Sequence, residues 1–451
     1  MPPLTTIVHL DLKGAPLKIP YLEKVILSAK SWGATGILLE WEDTFPYTGT
    51  LSDIGSINGK EGMYTETEVR YIMDIAKKNE LEAIQLIQTI GHLEFVLKHP
   101  QFRCLRESPR SPAVLCPSKP ESQLLIRSML EQALDLQPEA NYLHIGADEV
   151  WHMGVCTDCK EKAAASPYGA ASLFLNHIRD LILFIKERRP NLTILMWDDM
   201  LRGINPDILG AFNLGDLVQP VVWDYNSMEY FRINPNLWNK YNRIFPQVWA
   251  GSAFKGANGS CQISSPVSRY VSNHEAWLRE ITNYKHRVNF SGIVLTGWSR
   301  YDHYCTLCEL MPLSMPSLAS CLKILQKNTG TSKETLVSEV LPAEQWPGER
   351  FARCVHSFAI VKERCLTFLH GDLVTSWLNP WQIEHSYTSP TQVEGIAVTA
   401  QQLLRDLTAL HTEMSSHLDT ITGFRRPNQR PVLCPEYSVR YRCIMSPPPM
   451  R

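Results

Sequence analysis

This sequence lacks several features that are typical of common protein classes, and each absence excludes a class of function. No run of about 18 apolar residues occurs, so we expect no spanning helix and no membrane partner. The 44 basic residues are balanced by 46 acidic ones, which argues against a nucleic-acid partner. The first residues lack the basic and long apolar stretches of a secretory signal, so we expect a chain that is not exported.

Short apolar segments alternate with helical patterns over residues 1–325. This rhythm predicts an α/β fold, a (β/α)8 TIM barrel, because each parallel strand needs a crossover helix. The alternative, an open doubly wound sheet, is disfavoured because no Gly-x-Gly-x-x-Gly motif follows an early strand. The predicted strands are 7–12, 36–40, 82–88, 142–146, 193–197, 217–223, 245–250 and 292–296, and the clearest helices are 65–79, 122–136 and 171–188.

The rest of the chain has helical patterns without intervening strands. We expect residues 326–423 to form a helical C-terminal extension, with helices over 334–340, 349–369 and 391–420. Residues 424–451 are rich in Arg and Pro, and this composition predicts a flexible tail.

Acidic and aromatic residues follow nearly every predicted strand. A helix N-cap explains an Asp after one or two strands, but it does not explain acids and aromatics at most of them. Because the carboxyl ends of the strands form the mouth of a β/α barrel, we predict an active site there. The candidates are Asp11, Lys13, Glu40, Trp41, Glu42, Asp43, His92, Asp148, Glu149, Trp197, Asp198, Asp199, Trp223, Asp224, Tyr225, Trp249 and Trp298.

The sharpest local signal is the segment His144-Ile-Gly-Ala-Asp-Glu149. Two adjacent carboxylates repel each other, so we expect the pKa of one of them to rise. A carboxyl group that keeps its proton can protonate a leaving-group oxygen, although Asp-Glu is also an ordinary solvated strand end. Indole rings stack on the apolar faces of sugars, so the 12 Trp residues favour glycoside hydrolysis over other barrel chemistries.

The motif His-x-Gly-Ala-Asp-Glu at the fourth strand resembles that of glycoside hydrolase family 20, the β-N-acetylhexosaminidases. Four further segments resemble family segments in the same order: Tyr64-Thr65, Gln88-Thr-Ile-Gly-His92, Met196-Trp197-Asp198-Asp199 and Gly297-Trp298. The resemblance covers roughly residues 5–325. It implies a glycosidase without a cofactor or metal that acts on N-acetylhexosaminide glycoconjugates or oligosaccharides.

The resemblance also implies a retaining exo-mechanism in which the substrate's own acetamido oxygen attacks the anomeric carbon and forms an oxazolinium ion. Glu149 would be the general acid and then the base, and Asp148 would orient the acetamide and stabilise its developing charge. Tyr225 would donate a hydrogen bond to the acetamide oxygen. The pocket walls would be Trp197, Trp223 and Trp298.

Two histidines are assigned to the same pocket by this resemblance. We count His92 among the substrate-binding residues and expect His144 to lie one layer behind. Both would hold the two carboxylates in place.

Sugar recognition is where the chain departs from the family pattern. Many members grip O3 and O4 with an Arg on the first strand, whereas the nearest cation here is Lys13. Glu40, Asp224 and Glu309 are therefore the candidates for contacts with the sugar hydroxyls. The resemblance favours terminal β-linked GalNAc over GlcNAc and implies residence in the cytoplasm and nucleus, with a homodimer as a candidate assembly.

Three other functions stay open at this point. A metal-dependent hydrolase would need clustered ligands, but His9, His92 and His144 lie far apart in the barrel order. A carbohydrate-binding pseudoenzyme would keep the Trp walls and lose an acid, yet both acids are present. A scaffold would bind partners through the tail at 424–451.

Cysteine is sparse, with 12 in 451 residues, which is too few for a disulfide scaffold. Two Cys-x-x-Cys pairs, Cys156/Cys159 and Cys305/Cys308, could hold zinc or form redox disulfides. Because the pairs follow the fourth and eighth strands, on opposite sides of the predicted mouth, we expect free or packed thiols and no metal.

Overall fold

A computed structural model describes residues 4–14, 16–55, 63–327 and 346–423. In this part of the chain ten strands occur, of which eight close into a parallel barrel. The strands are β1 Thr5–Asp11, β2 Gly36–Glu40, β3 Glu82–Leu86, β4 Arg106–Ser108, β5 Ser111–Leu115, β6 Tyr142–His144, β7 Thr193–Trp197, β8 Gln219–Trp223, β9 Val248–Lys255 and β10 Phe290–Gly297.

The barrel strands follow chain order around the barrel, and β10 closes it by pairing with β1. The predicted (β/α)8 barrel is therefore confirmed. The antiparallel hairpin of β4 and β5, which lies in the segment between β3 and the helix Pro120–Leu136, was not predicted. Its strands have only three and five residues, too few for a clear alternating pattern.

Helices surround the barrel. They are α1 Ile19–Ser31, α2 Glu66–Lys78, α3 Glu94–Leu97, α4 Pro120–Leu136, α5 Thr157–Ala165, α6 Ala171–Arg188, α7 Asp199–Arg202, α8 Pro206–Ala211, α9 Pro235–Ile244, α10 Val267–Tyr284 and α11 Met311–Lys327. Four of these described helices, α2, α5, α8 and α9, begin with an N-cap side chain that accepts a backbone N–H. Helix α2 begins with a capping box, in which Thr65 and Glu68 satisfy each other's backbone N–H groups. No helix within the described ranges is both long and apolar enough to cross a membrane.

The barrel interior is filled by large apolar side chains from the strands. The core cluster consists of Ile7, Leu38, Ile84, Leu86, Leu195, Trp197, Val221, Trp249 and Val294. The prediction for the seventh barrel strand was wrong by several residues: 245–250 was expected, whereas β9 is Val248–Lys255. Trp249 therefore lies near the start of this strand, packed against Tyr142, and not at the mouth.

The chain divides into two compact units between residues 343 and 344, and Gly423 belongs to the first. The second unit is helical, as expected, with α12 Glu349–Leu369, α13 Asp372–Trp377, α14 Pro380–Glu384 and α15 Pro390–Ile421. An ion pair between Arg364 and Asp406, 3.3 Å long, joins α12 to α15. The predicted helix at 334–340 and the predicted tail at 424–451 lie outside the described residues.

Two loops that leave neighbouring strands, β3 and β6, touch through glycine. A Cβ atom on Gly91 would lie 2.1 Å from the carbonyl oxygen of Asp148, and one on Gly146 would lie 2.0 Å from Oε1 of Gln88. Gly146 also has a φ of +63°, in the left-handed region that side chains disfavour. Only glycine allows this approach, which brings the two loops together.

We predict that Gly91→Ala destabilises the barrel, because the clash is with backbone and cannot be relieved by a rotamer change. The free energy of unfolding should fall by on the order of 1–3 kcal/mol, as for other overpacked positions. Urea unfolding followed by circular dichroism measures this change. The matched control is Gly210→Ala in α8, where no atom lies within 4 Å of the added Cβ, so stability should hold or rise slightly. Equal stabilities for the two variants would contradict the close approach.

Candidate active site

The mouth of the barrel contains a cavity of about 440 Å³. Segments after all eight barrel strands supply its lining. Ten of the strand-end candidates line it: Lys13, Glu40, Glu42, His92, Asp148, Glu149, Trp223, Asp224, Tyr225 and Trp298. Lining residues outside the candidates include Gln88, Arg202, Arg269, Arg300 and Tyr301.

A strained turn after β6 separates the two adjacent carboxylates. Ala147 and Glu149 have φ values of +69° and +51°, which cost energy for residues with a side chain. The turn is held because Ala147 N–H donates to Gln88 Oε1 at 3.3 Å and Glu149 N–H donates to Asp199 Oδ2 at 2.9 Å. As a result the Asp148 side chain is 10% exposed, whereas that of Glu149 is 39% exposed.

His92 lies between the two acids. Its Nε2 is 3.4 Å from Asp148 Oδ2 and 3.3 Å from Glu149 Oε2. Burial works against a charged imidazole, but the charge of Asp148 and hydrogen bonds to both carboxylates raise the pKa of His92 well above its usual value. We therefore treat His92 as an imidazolium at neutral pH.

Asp148 is the ionised partner of this cation. Burial alone would raise its pKa, but the charge and hydrogen bond of His92 and the Gln88 amide, 3.1 Å away, lower the pKa of Asp148 below its usual value. The expectation that mutual repulsion raises the pKa of one carboxyl is thus reversed for Asp148. The missing element was the histidine cation, which lies on a different loop.

Asp199 connects the acidic turn to the aromatic wall, a role that sequence reasoning missed. Its Oδ1 accepts a 3.3 Å hydrogen bond from Trp223 Nε1, while its Oδ2 binds the Glu149 amide. Burial, followed by the charges of Asp148 and Asp198, raises the pKa of Asp199 to about 7. The sequence signals were its position two residues after the end of a barrel strand and its place in the family-like segment Met196-Trp197-Asp198-Asp199.

The opposite wall is a buried charge cluster around Lys13. Its Nζ lies 2.9 Å from Asp11 Oδ2, 3.6 Å from Glu40 Oε1 and 3.6 Å from Glu42 Oε1. Despite burial, these three carboxylates raise the pKa of Lys13. Glu40 also accepts a 2.9 Å hydrogen bond from His9 if that nitrogen carries the proton.

The two glutamates of this cluster differ in protonation. Burial opposes ionisation of Glu40, but Lys13 and His9 lower its pKa to about 2. For Glu42, burial dominates over Lys13 and Arg300 and raises the pKa to about 8. The wall therefore offers the Lys13 cation beside two carboxyl groups whose pKa values shift in opposite directions, which suits recognition of sugar hydroxyls.

The aromatic residues are divided between the cavity and the core. Trp223 and Tyr225 stack with centroids 5.1 Å apart, and both line the cavity with Trp298. Trp197 is 1% exposed and does not line it. Its ring packs against Trp298 at 5.8 Å and His144 at 4.5 Å, so it supports the wall from the core.

His144 is also buried and absent from the lining. Burial lowers the pKa of His144 to about 3, so the ring is neutral. Its Nδ1 accepts a 3.0 Å hydrogen bond from the Gly146 N–H, which is the first residue of the strained turn. It thus fixes the backbone before Asp148, while direct contact with the carboxylates comes from His92.

The two remaining candidates for contacts with the sugar hydroxyls lie in different places. Asp224 lines the cavity, but its oxygens accept N–H groups of Asn226 and Arg232, so it also shapes its own loop. Glu309 is fully buried, lies outside the lining and accepts the Tyr270 hydroxyl at 2.8 Å. Its predicted role in sugar binding therefore does not fit its location.

Metal ligands are not grouped in the cavity. Among the described residues that line it, no three His, Cys, Asp or Glu side chains bring ligand atoms close enough for one ion. The chemistry available here comes from carboxylates, an imidazolium, a phenol and indole rings.

Comparison with known proteins identifies the family. Residues 39–232 match the catalytic domain of glycosyl hydrolase family 20. The chain is 38% identical over 429 residues to Hexosaminidase D of Homo sapiens, covering 91% of this chain and 87% of the human protein. It is 42% identical over 320 residues to Hexosaminidase D of Bos taurus, covering 71% and 91% of the two chains.

Solved structures agree at the level of the fold. A Flavobacterium johnsoniae chitobiase aligns with a TM-score of 0.55 and 14% identity, covering 74% of this chain and 50% of that one. A catalytic module of the pneumococcal exo-β-D-N-acetylglucosaminidase gives a TM-score of 0.52 and 12% identity, covering 92% and 98%. The chain belongs to glycosyl hydrolase family 20 and is a glycoside hydrolase of the β-N-acetylhexosaminidase type.

Proposed function

We propose that the enzyme removes terminal β-linked GalNAc, in preference to GlcNAc, by a retaining mechanism in which the substrate's acetamido group is the nucleophile. The observation that carries this proposal is the state of Asp148. It is a buried carboxylate kept ionised by His92 and Gln88 inside the cavity. A fixed anion in that place stabilises positive charge that develops next to it.

The placement of the acids supports participation by the substrate. An inverting enzyme places two carboxylates about 6.5–9.5 Å apart on opposite faces of the sugar, and a retaining enzyme with its own nucleophile places them about 5–5.5 Å apart across the bond. Here Asp148 and Glu149 contact the same imidazole nitrogen of His92, so they lie on one side of the cavity. We therefore assign the nucleophile to the acetamido group of the sugar and not to either acid.

In the first step the acetamide oxygen attacks the anomeric carbon while Glu149 gives its proton to the leaving oxygen. The exposure of the Glu149 side chain suits this task, because the aglycone leaves toward solvent. As the oxazolinium ring forms, positive charge grows on the acetamide nitrogen, and Asp148 accepts its N–H. The Tyr225 hydroxyl donates to the acetamide oxygen and aligns it.

In the second step water opens the oxazolinium ring. Glu149, now a carboxylate, removes a proton from that water, and the product keeps the β configuration. His92 stays protonated through both steps and prevents Asp148 from taking the proton.

The aromatic wall and the Lys13 cluster bind the sugar in this proposal. The stacked rings of Trp223 and Tyr225, with Trp298, form an apolar surface for the N-acetyl group and the ring. Lys13 and Glu40 are the groups we assign to the hydroxyls, because both line the cavity and both carry charge. The preference for GalNAc is carried over from the sequence resemblance, and the paired substrates below test it.

The two acids are distinguished by their dependence on the leaving group. Glu149→Gln should lose about 10²–10⁴ in kcat on substrates with poor leaving groups, but much less on a dinitrophenyl glycoside that needs no proton. Asp148→Asn should lose on the order of 10² or more with every leaving group, because the oxazolinium charge is no longer stabilised. Steady-state kinetics on a series of aryl glycosides measures both effects. Near-wild-type rates for Asp148→Asn would show that the acetamide is not the nucleophile.

Removal of the imidazolium should change the pH dependence. In His92→Asn burial is no longer opposed by a cation, so the pKa of Asp148 rises and a higher pH is needed to ionise it. The acidic limb of the kcat/KM profile should therefore move up by about one pH unit or more. The matched control is His152→Asn, an exposed histidine on the loop that follows Glu149, which should leave the limb in place. If the acidic limb of the profile does not move in His92→Asn, the pKa of Asp148 does not depend on His92, which would contradict the ion pair.

Paired chromogenic β-GalNAc and β-GlcNAc substrates test the specificity. We expect a higher kcat/KM for the GalNAc substrate and inhibition by an N-acetyl-derived thiazoline, which mimics the oxazolinium ring. Faster hydrolysis of the GlcNAc substrate would overturn the preference alone. Absence of thiazoline inhibition in an active enzyme would overturn the mechanism.

A further inference from the structure

Away from the cavity, three cysteines and one glutamate meet in a buried cluster. Cys116 Sγ lies 3.4 Å from Cys156 Sγ and 3.5 Å from Cys159 Sγ, and Glu107 Oε2 lies 3.1 Å from Cys159 Sγ. All four ligand atoms are within 4.8 Å of one another. None of these thiols is in a disulfide.

These separations are close to those of a tetrahedral zinc site. With Zn–S bonds of about 2.3 Å, tetrahedral geometry places two sulfurs about 3.8 Å apart. The two sulfur separations here are a few tenths of an ångström shorter, so small side-chain movements suffice to admit an ion. A disulfide would instead require the sulfurs to approach to about 2.05 Å.

The surroundings of the cluster are those of a closed structural site. Glu107, Cys116 and Cys159 are fully buried, and Leu173, Met153 and Ala163 pack around the sulfurs. Within the described residues no Lys, Arg or His lies within ion-pair distance of Glu107. In this part of the chain only hydrogen bonds offset the desolvation of this buried carboxylate, so a cation bound among the thiols would stabilise it further.

One oxygen of this carboxylate is already satisfied by the backbone. Glu107 Oε1 accepts N–H groups of Val155 at 2.6 Å and Cys156 at 3.0 Å, which fixes the carboxylate at the start of α5. Its Oε2 faces the sulfurs and accepts a hydrogen bond from the Cys159 thiol at 3.1 Å. The backbone thus orients the carboxylate with this oxygen toward the thiols, and loss of the Cys159 proton on metal binding would release the oxygen to be a ligand.

We propose that Glu107, Cys116, Cys156 and Cys159 bind a structural Zn²⁺ ion. Binding exchanges the thiol protons for the metal: each Cys loses its proton to water, the carboxylate is already ionised, and no group is oxidised or reduced. The site has four protein ligands and no open position, so it stabilises structure and does not take part in glycoside hydrolysis.

The ion would join the two loops that carry the catalytic groups. Glu107 lies in β4 and Cys116 directly follows β5, and this hairpin bonds to the loop of His92 through Leu93 N–H to Ala113 O and Leu115 N–H to Ile90 O. Cys156 and Cys159 begin the helix that follows the Asp148–Glu149 turn. The metal would therefore tie the His92 loop to the segment that leaves the acids.

The proposal differs from the sequence-based expectation of no metal, because the sequence did not show which residues lie next to Cys156 and Cys159. The expectation joined Cys156/Cys159 with Cys305/Cys308, which lie after strands on opposite sides of the barrel. The folded chain instead joins them with Glu107 and Cys116, which precede Cys156 by 49 and 40 residues. Neither residue belongs to a Cys-x-x-Cys motif, so spacing could not reveal them.

The test is the metal content of the purified full-length enzyme, measured by mass spectrometry of the elements after exhaustive dialysis. We expect one zinc per chain in the wild type and a small fraction of one in Cys116→Ser and Cys159→Ser. Glu107→Gln keeps three thiolates and should bind more weakly, losing zinc to a lower chelator concentration. The matched control is Cys305→Ser from the other Cys-x-x-Cys pair, which should keep its zinc.

A second measurement does not depend on how the variants fold. Wild-type enzyme reloaded with Co²⁺ should show the intense visible bands of tetrahedral coordination and a thiolate charge-transfer band in the near ultraviolet. Wild-type protein without zinc and with freely titrating thiols overturns the proposal, as does an intact mass two hydrogens lower that maps to a Cys116–Cys156 or Cys116–Cys159 disulfide. Zinc that persists in both cysteine variants would overturn it as well.

Discussion

The site depends on one ion pair, the buried contact between the His92 imidazolium and the Asp148 carboxylate. A carboxylate that is almost removed from water would normally take up a proton, and an imidazole in the same place would lose one. Each group here holds the other in its charged form, with Gln88 adding a hydrogen bond to the anion. The cavity therefore contains a permanent negative charge, and its chemistry follows from where that charge lies.

The backbone around this ion pair has strained dihedral angles. Ala147, Glu149 and His92 all have positive φ, and the strain is offset by hydrogen bonds from the turn to Gln88 and Asp199. Gly91 lets the two loops approach to contact. The proposed zinc ion would join the hairpin bonded to the His92 loop to the segment that follows Glu149, and would thus fix both loops at a second point.

Much of the barrel could be predicted from sequence because its strands are buried apolar segments with clear ends. The segments 36–40, 193–197 and the helix 171–188 match the structure residue for residue. Trp249 was predicted at the wrong end of its strand, because residues 245–247, which precede the strand, were counted as part of it. The short hairpin of β4 and β5 carries too few residues for periodicity to reveal it.

The sequence could predict which site residues lie at the strand ends. It could not predict the burial and the neighbours of each side chain. Ten of these site residues reach the cavity because parallel strands end at one mouth. Trp197 also ends a strand, but its side chain points into the core. The sequence of a strand that is buried on both faces has no polar and apolar alternation to indicate this direction. Likewise, the pKa of Asp148 depends on His92, which is 56 residues away in the chain, and Glu107 and Cys116 meet Cys159 only through the packing of two loops.

The charge state of His92 is the most direct test of this account. Nitrogen chemical shifts of the imidazole, assigned by difference from a His92→Asn spectrum, report whether the ring carries one proton or two. We predict that His92 remains an imidazolium well above the ordinary histidine pKa of about 6.5, through neutral pH. A His92 ring that is neutral at pH 7 would remove the cation from the pair, and the permanently ionised Asp148 on which the mechanism rests would be contradicted.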